Sequence, residues 1–156
     1  MPNLNTPGLP PDESPARHIA RSLIDRERSG RSGGDSAARS AATACDLLYR
    51  GLSRWLGADG CHALFVRARA QARPDFPALE EIQLRRGSTP YIYGVQEAIL
   101  AHGDAATAEA LEWILVHLIE LLGRLIGKDM AATLIQRGFV ASVRRDTTSD
   151  SGREEP

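Results

Sequence analysis

The stretch Leu122–Gly138, LGRLIGKDMAATLIQRG, holds a glycine-lysine pair followed by a helix-like run, and two different folds can be read from it. As a phosphate-binding loop it would announce a nucleotide site. As the corner between two helices it announces a bundle. A phosphate loop of that kind needs a preceding strand, a second glycine five positions before the Gly-Lys pair, and Ser or Thr after the lysine. Here position 122 is leucine, Asp129 follows Lys128, and the run before Gly127 has helical spacing. All three requirements fail, so Gly127-Lys128 reads as a helix corner.

An earlier block supports the same reading. LLYRGLSRWLGADGCHALFVRA and HLIELLGRLIGKDMAATLIQRG align at an offset of seventy positions. Leu48 meets Leu118, Leu52 meets Leu122, Arg54 meets Arg124, and Gly57 meets Gly127. Asp59 meets Asp129, Leu64 meets Leu134, and Arg67 meets Arg137. The leucines recur at core spacing, the glycine suits the left-handed residue that ends a helix, and the aspartate suits the cap of the next. Each block is therefore expected to be an αα-hairpin, and the fold to be an all-α bundle of two pseudo-repeated hairpins. Across Leu48 to Arg137 this helix, G-x-D corner, helix pattern resembles a helical domain of bacterial proteins, some of them tied to signalling. That resemblance implies a fold and no activity.

Outward from these blocks, the expected helices run about Ala37 to Leu56, Gly60 to Ala72, Ala105 to Ile126 and Met130 to Val143. The first lines up Ala41, Ala44, Cys45, Leu48, Leu52 and Trp55. In the third, Leu111 to Ile126 places its apolar side chains in an arc of roughly 160°. That is wider than a surface helix needs, so this helix is read as central. Glu120 and Arg124, four apart, are expected to pair on its outer face. Between the blocks, a short helix is expected from Pro77 to Arg86. Another, capped by Ser88 or Thr89 and opened by Pro90, carries Tyr91, Ile92, Val95 and Ile99 and stops at Gly103. Asp104 is expected to cap the long helix.

The flanks read differently. Residues 1–13 are proline-rich and expected to be disordered. Ser14 and Pro15 open a thin amphipathic helix over 14–28, with Ile19 and Leu23 on its apolar side, and 29–36 is a Gly/Ser hinge. The helical domain spans 37–143, followed by a polar, disordered tail over 144–156.

Composition narrows the function classes. The chain has 156 residues, 42% of them hydrophobic, and a net charge of −1, so it can build one core and has no global attraction to polyanions. Lys128 is the single lysine. The apolar run from Leu111 is broken by Glu112, His117, Glu120 and Arg124, which argues against a membrane span. No signal-like apolar core opens the chain, and two cysteines form no disulfide framework, so a cytoplasmic protein is expected, and the use of arginine in place of lysine reads as the codon bias of a GC-rich bacterial genome.

Candidate chemistry is sparse. His18, His62, His102 and His117 are scattered, and no C-x2-C or H-x3-H spacing exists, so no metal or other cofactor is expected. Cys61, beside His62 and near a helix start, invites the idea of a lowered thiol pKa, but a small core thiol is the better fit to its aligned partner Ala131. Arg85, Arg86, Ser88 and Thr89, with the amides of the next helix, form an anion candidate. A solvated arginine pair before a helix start explains them as well. From Ala37 to Gly103 there are eight arginines against six acids, thin for a nucleic-acid surface. No catalytic triad, carboxylate pair or cofactor loop stands out.

The reading that follows is a non-catalytic protein-interaction or regulatory module. It is expected to self-associate as a homodimer, or to bind another bacterial protein, through Ile19, Leu23, Leu115, Leu122 and Trp113. The first alternative is a small-molecule sensor or small enzyme with a pocket between the hairpins, near Cys61, His62 and Tyr91. The second is a weak nucleic-acid binder.

Overall fold

In the computed structural model, residues 14–29, 36–88 and 90–138 are described. The expectations for 1–13, for the hinge at 30–35, for Thr89 and for 139–156 lie outside the described residues. Six α-helices dominate: α1 (Pro15–Ser29), α2 (Ala37–Leu56), α3 (Ala58–Ala72), α4 (Val95–His102), α5 (Asp104–Ile126) and α6 (128–138). The molecule is an all-α bundle, as its leucine spacing predicts.

The centre is a pair of parallel helices, α2 and α5. Their N-termini touch directly. The Asp104 carboxylate accepts hydrogen bonds from the amides of Ala37 and Ala38, both at 3.1 Å, while Ser36 Oγ accepts from Arg39 N at 3.0 Å. Three of the four orphan donors of α2 are thus satisfied. Asp104 was expected to cap its own helix. It makes no such bond, because it is the first residue of α5 and its anionic side chain lies against the positive end of α2. Seven residues on, Cys45 Sγ approaches the Leu111 carbonyl at 4.0 Å, so the two helices advance in step. Leu48, Leu52, Leu111, Ile114, Leu115, Leu118 and Leu122 are fully buried around this seam.

Three glycines make the sharp corners. Gly57 (φ 81°, ψ 153°), Gly103 (95°, 158°) and Gly127 (94°, 149°) share one conformation. It is not the left-handed helical cap expected from the spacing but an extended positive-φ region open essentially to glycine alone. Each glycine N–H donates to the carbonyl four residues back at 2.8 Å, and each glycine carbonyl accepts from the amide four residues ahead. One residue therefore ends a helix and starts the next. With the corner built this way, Asp59 is not needed as a cap, and it pairs with Arg86. Gly103 lies outside the aligned blocks, so this corner is a general device of the chain and not a mark of duplication.

α3 packs on α2 and α5 through Phe65, Ala68 and Ala72. α6 approaches α2 at Gly51 and Gly138, where a Cβ added to Gly51 would sit 2.1 Å from the Gly138 carbonyl oxygen. α1 runs against α5 and also touches α2, burying Ala16, Ala20, Leu23 and Ile24. Ser14 Oγ accepts from Arg17 N at 3.3 Å, the cap expected there. Glu112 on α5 accepts from Arg17 Nε at 2.7 Å and Arg21 Nε at 3.1 Å, and the Arg17 guanidinium lies 4.9 Å from the Trp113 ring centroid. Glu112 thus holds α1 through two arginines one turn apart.

The connection between α3 and α4 departs from expectation. Two 3-10 turns (Arg73–Asp75 and Pro77–Glu80) lead into a two-stranded antiparallel ribbon, β1 (Gln83–Leu84) and β2 (Ile92–Tyr93). The expected helix from Pro77 to Arg86 is only its first turn, and the expected helix from Pro90 starts at Val95. The cause lies in α2. Asp46 Oδ1 accepts from the amides of Tyr91 at 3.1 Å and Ile92 at 2.9 Å, holding that backbone extended. Gly94 then turns with φ 90°, where a Cβ would strike the Glu81 carbonyl oxygen at 1.9 Å.

Candidate functional site

Two places gather the chemistry-bearing residues: the ribbon where it lies on α2 and α3, and the end of the α2–α5 pair. At the ribbon, Tyr91 stacks on Tyr49 with ring centroids 3.7 Å apart and planes within 6°. Phe65 meets both rings edge-on. The Tyr91 hydroxyl is 2.7 Å from His62 Nδ1. Burial pushes the tyrosine pKa far up, so the phenol keeps its proton, and which of the two groups donates is set by the imidazole tautomer.

The structure therefore brings His62 and Tyr91 together, as the sequence grouping of Cys61, His62 and Tyr91 anticipates. Cys61 is buried and turned the other way, its thiol directed at the Tyr49 carbonyl at 3.7 Å. Burial pushes that thiol up to about 11, so the nearby helix start does not make a thiolate of it. Cys45 is buried and shifted further in the same direction. Packed rings fill this region, and burial keeps both thiols protonated.

The four residues of the anion candidate are not gathered around one point. Arg86 is committed to Asp59, and Arg85 bonds Gln83 and lies over the Tyr93 ring at 4.2 Å. Ser88 N donates to the Arg85 carbonyl in the ribbon turn, while Thr89 lies outside the described residues. The amides that were to complete the site, those of Tyr91 and Ile92, are already taken by Asp46.

The residues expected to form an interaction surface are mostly interior. Leu23, Leu115 and Leu122 are buried, and Ile19 packs against the core. Trp113 is half-buried between Arg17 and Phe76. The broad apolar face of α5 is thus covered by α1, α2, α3 and α4 of the same copy, which removes it as a reason for self-association. A groove of about 200 Å³ lies beside α1, lined by Arg21, Ile24, Asp25, Arg28 and Glu112 among others. It falls below the ~300–1,000 Å³ of a typical small-molecule site. Among the described residues, no three His, Cys, Asp or Glu side chains converge as metal ligands, and no helix is long and apolar enough to cross a membrane.

The second place was missed by the sequence reading. Trp55 and Leu125 continue the core stripes Leu48-Leu52 and Leu118-Leu122 by one further turn. Both were expected to be buried, yet Trp55 is 60% and Leu125 67% exposed. Because α2 and α5 are parallel and each ends in a glycine corner, both stripes run out of the bundle at the same end. Ile126 is also exposed, and Met130, one turn into α6, is 58% exposed. The signal was present: the stripes extend to within two residues of Gly57 and Gly127. Periodicity gives the side of a helix but not whether a neighbour is long enough to cover it.

Comparison of the chain with protein-family models, curated proteins and solved structures finds no match.

Proposed function

We propose that this protein is a non-catalytic interaction module that binds a protein partner through the apolar end of its central helix pair. The observation that carries the reading is that two core stripes on parallel helices run out at the same end of the bundle in the exposed side chains of Trp55 and Leu125. Large exposed apolar side chains scattered singly are ordinary, whereas several gathered at one end of a helix pair point to a contact site. Tryptophan is also among the residues that dominate binding energy at interfaces. The well-filled region around Tyr91 and the small groove at α1 support this reading over a small-molecule enzyme or sensor. The dispersal of Arg85 and Arg86 supports it over a nucleic-acid binder. A homodimer through the same end remains inside the proposal as one choice of partner.

The test is site-specific photo-crosslinking in the native cell. A crosslinking residue at position 55 or 125 is expected to give a discrete adduct that the same group at Glu109, exposed on α5, does not give. Equal, diffuse labelling from all three positions would remove the reading. An adduct of the chain with itself would make the partner a second copy.

A further inference from the structure

Resting on the reading that this end is a contact surface, we infer that its partner is an acidic, amphipathic helical segment of another protein. Charge points to it. Trp55, Leu125, Ile126 and Met130 leave on the order of 400 Å² of side-chain surface exposed, about the apolar share of one face of a standard interface. Two copies meeting through this end would bring their own cations together, whereas an acidic helix laid across it with anchors one turn apart would meet them with opposite charge.

The charges around the patch are one-sided. Arg54 adjoins Trp55, Arg124 adjoins Leu125, and Lys128 follows the Gly127 corner. All three are exposed, and none has a carboxylate partner among the described residues. Asp129 is the one acid at this end left without a partner there, since Asp59 is held by Arg86 and Glu120 lies by His117. Arg54 and Arg124 sit in the last turns of their helices, where the macrodipole favours cations by only ~0.3–1 kcal/mol, so they remain able to pair with an incoming carboxylate. Three cations are fewer than the ~4–8 that mark recognition of an anionic membrane surface. Trp55 and Leu125 are thus the anchors, and Arg54, Arg124 and Lys128 select acidic residues beside them.

The experiment uses the full chain carrying Trp113→Phe, which leaves Trp55 as its single indole. The probe is a synthetic helical peptide of about four turns, with leucine at i, i+3, i+4 and i+7 and glutamate on its flanks; a second peptide replaces every glutamate with lysine. Without peptide, Trp55 emission should be that of a water-exposed indole. The acidic peptide should shift it to the blue, with affinity that falls as salt is raised. Leu125→Ser, or Arg54→Gln with Arg124→Gln, should weaken binding at least ~tenfold, the effect of losing one hot-spot contact. Several outcomes would overturn the inference. One is equal binding of both peptides, which would leave the contact surface standing but not its charge preference. Others are a blue emission before any peptide is added, showing that the chain covers its own patch, or binding only to anionic vesicles. Concentration-dependent dimerisation abolished by Leu125→Ser would replace the peptide by a second copy. Failure of every probe together with unselective crosslinking from positions 55 and 125 would remove the contact surface as well.

Discussion

Asp46 shows how a single side chain decides a local fold. Its carboxylate is largely buried against the ribbon, and burial raises its pKa from 3.8 to about 6, against the opposing pull of the Tyr91 and Ile92 amides and of Arg50. A folded-state pKa above the unfolded one means the group favours folding most when protonated. Its contribution is fully present below about pH 3.8 and is lost as pH rises through about 6. Asp46→Asn keeps an oxygen acceptor for the two amides and removes the buried charge. Its unfolding free energy should therefore be less dependent on pH between about 4 and 7 than that of the parent protein, and equal or higher at neutral pH. Asp46→Ala leaves two amides without an acceptor and should cost about 1–3 kcal/mol for each one that water does not reach. Denaturant unfolding at several pH values checks both, and a parent protein that gains stability from pH 4 to 7 relative to Asp46→Asn would contradict the assignment. The same residue explains a misreading of the sequence. Nothing within Ser88 to Tyr93 says that an aspartate some forty-five positions earlier will take its amides.

At the scale of elements, the long helices were legible because their evidence is local and repeated. Leucines at positions 48, 52, 118 and 122 specify a buried side, and Gly57 and Gly127 specify where each helix stops. The ribbon was not legible, since two-residue strands carry no periodicity. The glycine corners were placed correctly but assigned the wrong backbone conformation, because a positive φ can be read from a glycine stop and ψ cannot. That distinction has a consequence. A Cβ at Gly57 or Gly127 meets nothing within 4 Å, so space is not the constraint. Gly127→Ala should still cost about 1–3 kcal/mol, the strain of holding an L-residue in this region. D-alanine placed there by semisynthesis should recover most of the loss, since the mirror residue accepts that conformation. At Gly51 the obstacle is the opposite one. Its φ is ordinary for a helix, but the methyl of L-alanine would press into the Gly138 backbone, so Gly51→Ala should loosen the contact of α6 with α2 without backbone strain. Thermal unfolding of the L- and D-alanine proteins separates backbone strain from crowding.

For the whole molecule, the arrangement of the two central helices decides which apolar residues are core and which are surface. Leu115 and Leu125 lie on the same helix, ten residues apart, and the sequence treats them alike. Leu115 sits within the seam, fully buried among helices of its own copy, whereas Leu125, near the end of α5, is exposed. Glutamate at 115 would place an unpaired charge in the core and leave surrounding side chains unpacked. Either effect alone is of order 3–5 kcal/mol, against a total stability of about 5–15 kcal/mol for a domain of this kind. Leu115→Glu should therefore lose its cooperative unfolding transition and its fixed tertiary structure. Leu125→Glu removes only exposed surface and should stay within about 0.5 kcal/mol of the parent protein. Circular dichroism and chemical denaturation read the first contrast. Analytical ultracentrifugation of the folded Leu125→Glu protein beside the parent reads the second. A parent that sediments as a monomer at high concentration, unchanged by Leu125→Glu, leaves the exposed end free for a different partner. A parent dimer that Leu125→Glu dissolves without unfolding assigns that end to self-association. If Leu125→Glu unfolds as Leu115→Glu does, the end is not a surface at all.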